Sequence, residues 1–332
     1  MTFWRLVSPR ARLALLALAA TAAALLTLSY LPAHNTSALA LSVARHALPS
    51  AGDPSRLYVA TRLHLGQTSS GSEGAPALPP ADALRSFIRG AAAYGAVVAL
   101  AASADEARHG AALVAHVRSV TGEAEFAELV ARGSLVVLPI APWGAFVSAP
   151  NALALAAAAA GCGRILFQSL EVSVSPAALA VLLGEMSAGT LVAGAALAGH
   201  AFAPLAARGG PAVVLPLDGT TTPWNTLAVW DTALLTAIGF PLIGEGAHAG
   251  IGGGVEEVTA IALAQLVMGG CAAKLVRLPP SAGAVWEAVW EDTARTEWHE
   301  RKMRSKRERP AAQLAALGRS GAGVVEHLDR SG

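Results

Sequence analysis

From residue 57 onward the hydrophobic positions follow two alternating rhythms. Short, nearly continuous apolar runs occur at 57–65, 96–102, 134–140, 163–172, 190–197, 212–217 and 274–278. Between them, apolar residues recur at helical spacing over 82–94, 106–120, 151–161, 177–186, 226–238 and 255–268. Continuous apolar runs, rather than strict in-and-out alternation, are what strands covered on both faces require. The alternation of the two patterns predicts an α/β fold: a mostly parallel sheet flanked by helices on both faces. The crossover rule then gathers the carboxyl ends of the strands on one edge, where a ligand sits. The run at 163–172 (Gly-Arg-Ile-Leu-Phe-Gln-Ser-Leu-Glu-Val) is the clearest strand, and it ends on one carboxylate, Glu171. Residues 67–80, dense in Ser, Gly and Pro, read as a loop, as do 218–225 and the Gly-rich 241–254, the last carrying Glu245 and His248.

The first 55 residues break this rhythm. Residues 13–31 form an uncharged apolar run preceded by Arg5, Arg10 and Arg12. Nineteen or twenty apolar residues span a bilayer, and a basic flank stays on the cytoplasmic side. The pattern predicts a short cytoplasmic tail (1–12), a transmembrane anchor (13–31) and a stem (32–55) in single-pass type II topology. In a eukaryotic cell this places the rest of the chain in the Golgi or endoplasmic-reticulum lumen. The competing reading is a cleaved signal peptide, with Ala38-Leu39-Ala40 as its small-residue cleavage site. Asn35-Thr36-Ser37 has the spacing of a glycosylation sequon.

Composition narrows the function classes. The 332 residues carry 24 Lys and Arg against 23 Asp and Glu, and a net charge of +1 makes no case for bulk binding to nucleic acid. Two cysteines, Cys162 and Cys271, cannot form a disulfide framework and read as small buried residues. No Cys/His set has zinc spacing, and no Walker A motif or Gly-x-Ser-x-Gly elbow is present. Gly250-Ile251-Gly252-Gly253-Gly254 is glycine-rich, but no strand runs directly into it, so it is a poor dinucleotide fingerprint. From residue 285 the character changes: Trp286, Trp290 and Trp298 precede a run of cations through Arg309, read as a basic C-terminal extension (285–332) to a domain at 56–284.

Two blocks carry a resemblance to a known family. In the first, a strand is followed by Gly144, then Asn151 near a helix start, an Ala-rich helix, and a strand ending in Ser169-Leu170-Glu171. In the second, Gly239-Phe240 forms a turn, and a loop then leads to Gly253-Gly254-Val255-Glu256-Glu257 at a helix start. This order resembles the inverting glycosyltransferases of family 2, which have the nucleotide-diphospho-sugar transferase (GT-A) fold. The resemblance implies transfer of a hexosyl group from a nucleotide sugar to a hydroxyl of a carbohydrate or glycolipid acceptor at a membrane. It implies Glu257, with Glu256 beside it, as catalytic acids, Glu257 being the base. Gly144, Asn151, Gln168 and Ser169 would lie on the donor side, and Trp224, Asn225 and Asp218 on the acceptor side. It also implies Mn²⁺ or Mg²⁺ on the diphosphate, held at Glu171. Here the family's Asp-x-Asp is replaced by Ser-Leu-Glu, which offers one carboxylate and a hydroxyl where a hard cation wants several oxygens.

Each candidate also has a plain structural reading. Glu256 and Glu257 are acids in a first helical turn, favourable against the helix dipole. Glu171 is a strand-end acid, and Trp224 beside Pro223 is a lid on the core. The C-terminal cations, among them those after Arg295-Thr296-Glu297-Trp298-His299, either screen a diphosphate or form a solvated helix face. His64 and His200 sit in apolar surroundings and read as core or rim residues. A chain that keeps the fold but has lost catalysis, serving as a binding or scaffold subunit of a membrane complex, is the alternative to an enzyme.

Overall fold

A computed structural model describes residues 52–65, 77–95, 97–105, 109–205, 207–246, 250–282, 285–286 and 293–331, with backbone only at 285–286 and 293–304. The apolar run at 13–31, most of the stem, the sequon and His248 lie outside the described residues. Among the described residues no helix is long and apolar enough to cross a membrane.

In chain order the elements are β1 (Asp53–Leu63), α1 (Ala81–Ala92), β2 (Val97–Ser103), α2 (Gly110–Thr121), α3 (Ala127–Ala131), β3 (Leu135–Ile140) and α4 (Ser148–Ala159). Then come β4 (Cys162–Gln168), β5 (Val172–Ser173), α5 (Pro176–Gly184), β6 (Thr190–Ala195), β7 (Val213–Pro216), β8 (Leu227–Asp231) and α6 (Thr232–Ile238). The chain ends with α7 (Glu256–Met268), β9 (Ala272–Arg277), β10 (Val285–Trp286), α8 (Thr293–Ala316) and β11 (Val324–Asp329).

Nine strands form one mixed sheet in the order β3-β2-β1-β4-β8-β6-β9-β11-β7. All neighbours are parallel except where β8 pairs with β4 and β6, and where β7 pairs with β11. Strands such as β2, every residue of which is buried, explain the continuous apolar runs. One face packs Leu153 of α4, Leu235 of α6 and Val258 and Ile261 of α7 against Tyr58, Ile165 and Trp230. The other packs Leu84 and Ile88 of α1, Leu113 and Val117 of α2 and Leu182 of α5 against Val59, Leu100 and Leu166. The predicted mostly parallel sheet between two helical layers is what the structure has.

Three features position the cleft. First, β1 leads outward to β2 and β3, and the chain then returns to place β4 on the other side of β1. This reversal opens a crevice at the carboxyl ends of β1 and β4, the usual ligand position in such sheets. Second, β8 runs antiparallel to β4, pairing Leu227 with Gln168, so the loop entering β8 is delivered to that same carboxyl edge. Third, α7 descends from that edge to feed β9, which puts its first turn, Glu256 and Glu257, at the crevice.

Two sequence readings are corrected. The helical reading of 226–238 holds only for its second half. Leu227-Ala-Val-Trp-Asp is a strand, buried through Trp230, and Asp231 then starts the helix by accepting the Leu234 N–H at 3.0 Å. Pairing on both edges of a buried apolar pentapeptide overrides its local helical spacing. The strand at 272–277 is not the last. Val324–Asp329 enters the sheet between β9 and β7, parallel to the former and antiparallel to the latter. The segment read as an extension thus supplies an interior strand and, through α8, a wall of the cleft.

Candidate functional site

The cleft is a cavity of about 290 Å³ at the carboxyl edge. Arg62 and His64 enter it from the end of β1. Trp143, Ala145 and Phe146 come from the loop after β3, and Trp224 and Thr226 from the loop before β8. Gly254 through Glu257 open α7, and Lys306 and Arg309 reach in from α8.

Its floor is a pair of buried carboxylates on consecutive residues. Glu256 is 3% exposed and Glu257 5%. Glu256 Oε1 is ion-paired with Arg62 Nη1 at 2.9 Å and accepts from Asn225 Nδ2 at 3.3 Å. Arg62 Nη1 also donates to the Phe146 carbonyl at 3.0 Å. Glu257 Oε1 accepts the backbone N–H of Asn225 at 2.6 Å. Asn225 is itself fixed, its Oδ1 accepting from Trp230 Nε1 at 2.9 Å. Burial, and next the charge of Glu256, raises Glu257 to about 7, partly opposed by the Asn225 N–H and by Arg62. A buried carboxylate with a like charge beside it favours its neutral form.

The turn into α7 is unusual. Val255 stands in the left-handed region with φ 57°, and Gly254 precedes it at φ 98°. A β-branched residue there is a strained conformation that surrounding structure must hold. Helix α8 holds it. Arg309 Nη1 donates to the Gly253 carbonyl at 2.5 Å, and Gln313 Nε2 donates to the Gly252 carbonyl at 2.8 Å and the Gly254 carbonyl at 3.2 Å. A side chain at Gly219 would collide with the Lys306 carbonyl, so α8 also seats directly on the loop before β8.

That loop is pinned from beneath by two neutral imidazoles. His200 Nδ1 accepts the Leu197 N–H at 2.9 Å, which leaves Nε2 to donate to the Thr222 carbonyl at 3.0 Å. His327 Nδ1 accepts the Ala203 N–H at 2.9 Å and Nε2 donates to the Thr221 carbonyl at 3.0 Å. Burial lowers both, His200 to about 3. His200 also stacks on Trp224 with ring centres 3.6 Å apart, while Lys306 Nζ lies 2.9 Å from the centre of the same indole.

The structure sorts the sequence candidates. Glu256, Glu257 and Trp224 line the cleft, and Asn225 stands directly behind them. Gly144 lies just outside it. It takes φ 67°, and a side chain there would strike Glu245, whose carboxylate accepts the N–H groups of Ala145, Phe146 and Val147. Asn151 clamps the turn after α6, donating to the Phe240 carbonyl at 2.9 Å and accepting its N–H at 2.7 Å. Gln168 is buried and donates to the Val172 carbonyl at 2.8 Å, closing the turn after β4. Ser169 donates its N–H to the Thr226 carbonyl at 2.9 Å, tying β4 to the loop before β8. Asp218 accepts the N–H groups of Thr220 and Thr221 at 2.6 and 2.9 Å and organises its own loop. These four polar residues brace the site without lining it.

Glu171 is exposed on the turn after β4, apart from the cleft lining. Among the described residues no three His, Cys, Asp or Glu side chains come together in a way that could hold a metal ion. Glu171, expected to hold Mn²⁺ or Mg²⁺, offers one solvent-facing carboxylate, so a cation there would need further oxygens from a bound phosphate and water.

Arg62, Trp143 and Phe146 line the cleft without belonging to any of the sequence motifs. Arg62 did leave a signal, as the one charge in the interior of an otherwise apolar strand run. His64, read as a core or rim residue, is exposed in the cleft with its ring centre 6.1 Å from that of Trp143.

Comparison of the sequence with protein-family models and with curated proteins gives no match.

Proposed function

We propose that the cleft transfers a sugar from a nucleotide-sugar donor to an acceptor hydroxyl, with Glu257 as the general base. The observation that carries this is Glu257 itself. It is a buried carboxylate raised to about 7, held by a backbone N–H, in a cleft that also presents two indoles and three cations. A base whose proton affinity lies near neutral pH is matched to proton transfer at that pH.

In this reading Glu257 takes the proton of the acceptor hydroxyl as that oxygen attacks the anomeric carbon from the face opposite the leaving group. The bond from the anomeric carbon to the diphosphate breaks, and inversion follows. Negative charge grows on the departing diphosphate, and Arg62, Lys306 and Arg309 supply fixed positive charge to it. Trp143 and Trp224 are themselves buried, Trp224 with His200 and Lys306 against its ring, so they shape the wall of the cleft against which base or sugar would rest. Glu256, paired with Arg62, keeps a second negative charge beside the base. A nucleotide-diphospho-sugar transferase (GT-A) fold, an anchor at 13–31 and a carbohydrate or glycolipid acceptor belong to the same proposal. The switch point in the sheet and the carboxyl-edge cleft support it.

The test is release of nucleoside diphosphate from nucleotide sugars by the full-length chain. Release is expected, with a loss of about 100-fold or more in Glu257→Gln. No release from any donor, or an unchanged rate in the variant, contradicts the reading.

A second reading, a catalytically silent binding or scaffold subunit of a membrane complex, draws on two observations. Glu171 stands outside the cleft, and Lys306 covers the Trp224 ring. Saturable binding of nucleotide sugar without turnover would decide for it.

A further inference from the structure

The two carboxylates at the start of α7 differ in their counter-charges. Glu256 has a guanidinium at 2.9 Å, and Glu257 has a neutral N–H. The guanidinium is not fully committed to Glu256. Both described bonds of Arg62 come from Nη1, to Glu256 and to the Phe146 carbonyl, and the side chain is 31% exposed in the cleft. Among the described residues, Arg62 Nη2 and Nε make no hydrogen bond. Among the described residues, the other charged or titratable groups lining the cleft are His64, beyond the end of β1, and Lys306 and Arg309 on α8. Asn225, on the loop side, is neutral.

We infer that Arg62 is shared between Glu256 and any anion that enters the cleft, so that binding an anion draws a proton from solvent onto the Glu256–Glu257 pair. The physical reason is charge balance in a buried place. An anion on Arg62 weakens the hold of that guanidinium on Glu256 and brings a further negative charge close to both carboxylates. A guanidinium within a few ångströms lowers a carboxylate's proton affinity by about 1–3 pH units, so losing its hold raises that affinity by as much, and an added like charge acts in the same direction. The proton comes from water and ends on a carboxylate oxygen of the pair; no other bond changes. Arg62 is thus a positioning residue that sets the protonation of the base according to whether the cleft is filled. The inference rests on the cleft being an anion site with Glu257 at its floor, and not on what group is transferred.

The sign is fixed. Below the pH at which the empty cleft holds its proton, binding takes up nothing. Between that pH and the higher one set by the filled cleft, each anion bound takes up close to one proton. Across that window affinity falls about tenfold for each unit of rising pH.

Sulfate is the probe, because it is fully ionised over this range and brings no proton of its own. The full-length chain in weakly buffered solution near pH ~8 is titrated with sodium sulfate, against sodium chloride of equal ionic strength, and proton uptake is read directly. The expected result is uptake approaching one proton per chain at saturation. Uptake should be lost in the Glu256→Gln/Glu257→Gln double variant, with sulfate still bound, and retained in His64→Gln. Sulfate binding without uptake, uptake that persists in the double variant, uptake that vanishes in His64→Gln, or no sulfate binding at all would each overturn the inference. Should the double variant not fold, a sulfate affinity in the wild type that is flat with pH above neutrality overturns it, and one that falls upholds it. The measurement needs no turnover. Proton uptake in a chain that processes no nucleotide sugar upholds this inference while overturning the transfer reading, and turnover without proton uptake does the reverse.

Discussion

Asn225 holds Glu257 through its backbone, the N–H meeting Glu257 Oε1 at 2.6 Å, and holds Glu256 through its side-chain amide at 3.3 Å. One loop residue therefore fixes both carboxylates, and Trp230 fixes that residue. The bond to Glu257 is independent of side-chain identity. Asn225→Ala is expected to leave Glu257 oriented while stripping Glu256 of its amide and leaving the buried Trp230 N–H unpaired. The cost should be about 1–3 kcal/mol, read from denaturant unfolding.

Arg62 and Glu256 form a pair of unequal exposure, 31% against 4% for their side chains. Arg62→Gln leaves a buried carboxylate without its counter-charge and should destabilise by about 2–4 kcal/mol. Adding Glu256→Gln to that variant should restore most of the loss. A double-mutant cycle with no coupling would show that the pair contributes only packing.

His200 and His327 donate to consecutive carbonyls, Thr222 and Thr221, and so hold the loop that presents Trp224 and Asn225. Burial keeps His200 neutral, with its proton affinity lowered from 6.5 to about 3. A lowered folded-state value means the stabilisation is complete above about 6.5 and is lost as pH falls from there toward 3. Loss should approach, but not exceed, about 1.4 kcal/mol per pH unit for this group. His200→Asn should flatten the acid limb of a Tm-against-pH curve. An acid limb identical to that of the wild type would remove His200 as its cause.

Gly219 and Asn151 separate wall from brace. Gly219→Ala forces α8 away from the loop before β8, because its backbone lies where the new methyl must go. It should cost about 1–3 kcal/mol and also weaken sulfate binding, since Lys306 and Arg309 move with the helix. Asn151→Ala frees both polar groups of Phe240 and should cost a similar amount, yet leave sulfate affinity unchanged in the folded protein. Equal effects of the two on binding would contradict the division drawn between cleft and scaffold.

The architecture was legible because parallel strands buried on both faces leave continuous apolar runs, as at 97–103 and 162–168. The antiparallel strand β8 was not, because Leu227–Trp230 and the following Thr232–Ile238 join into one apolar stretch with helical spacing. Only pairing with β4 and β6 divides it. Strand β11 was hidden behind a basic helix near the chain end, since a six-residue strand with alternating character is a faint signal beside so many cations. Of the site, Glu256 and Glu257 were singled out by the family resemblance, since acids opening an apolar helix read equally well as partners of its dipole. Asn151, Gln168 and Asp218 occupied equally marked positions, but Asn151 and Asp218 are taken up by neighbouring backbone and Gln168 gives its amide N–H to the Val172 carbonyl, and sequence does not reveal which polar group a neighbour will satisfy. The cationic wall combines Arg62 with Lys306 and Arg309, residues more than 240 positions apart, and only the placement of α8 brings them together.

The pH dependence of kcat/KM for nucleoside diphosphate release tests the central claim most directly, since it reports the proton affinity of the essential base in the free protein. With Glu257 as that base, kcat/KM should rise as pH increases through about 7 and then level off. Glu257→Gln should abolish this limb and lower the plateau by about 100-fold or more. A profile that falls through neutrality, or a variant that keeps the wild-type limb and plateau, would contradict the assignment.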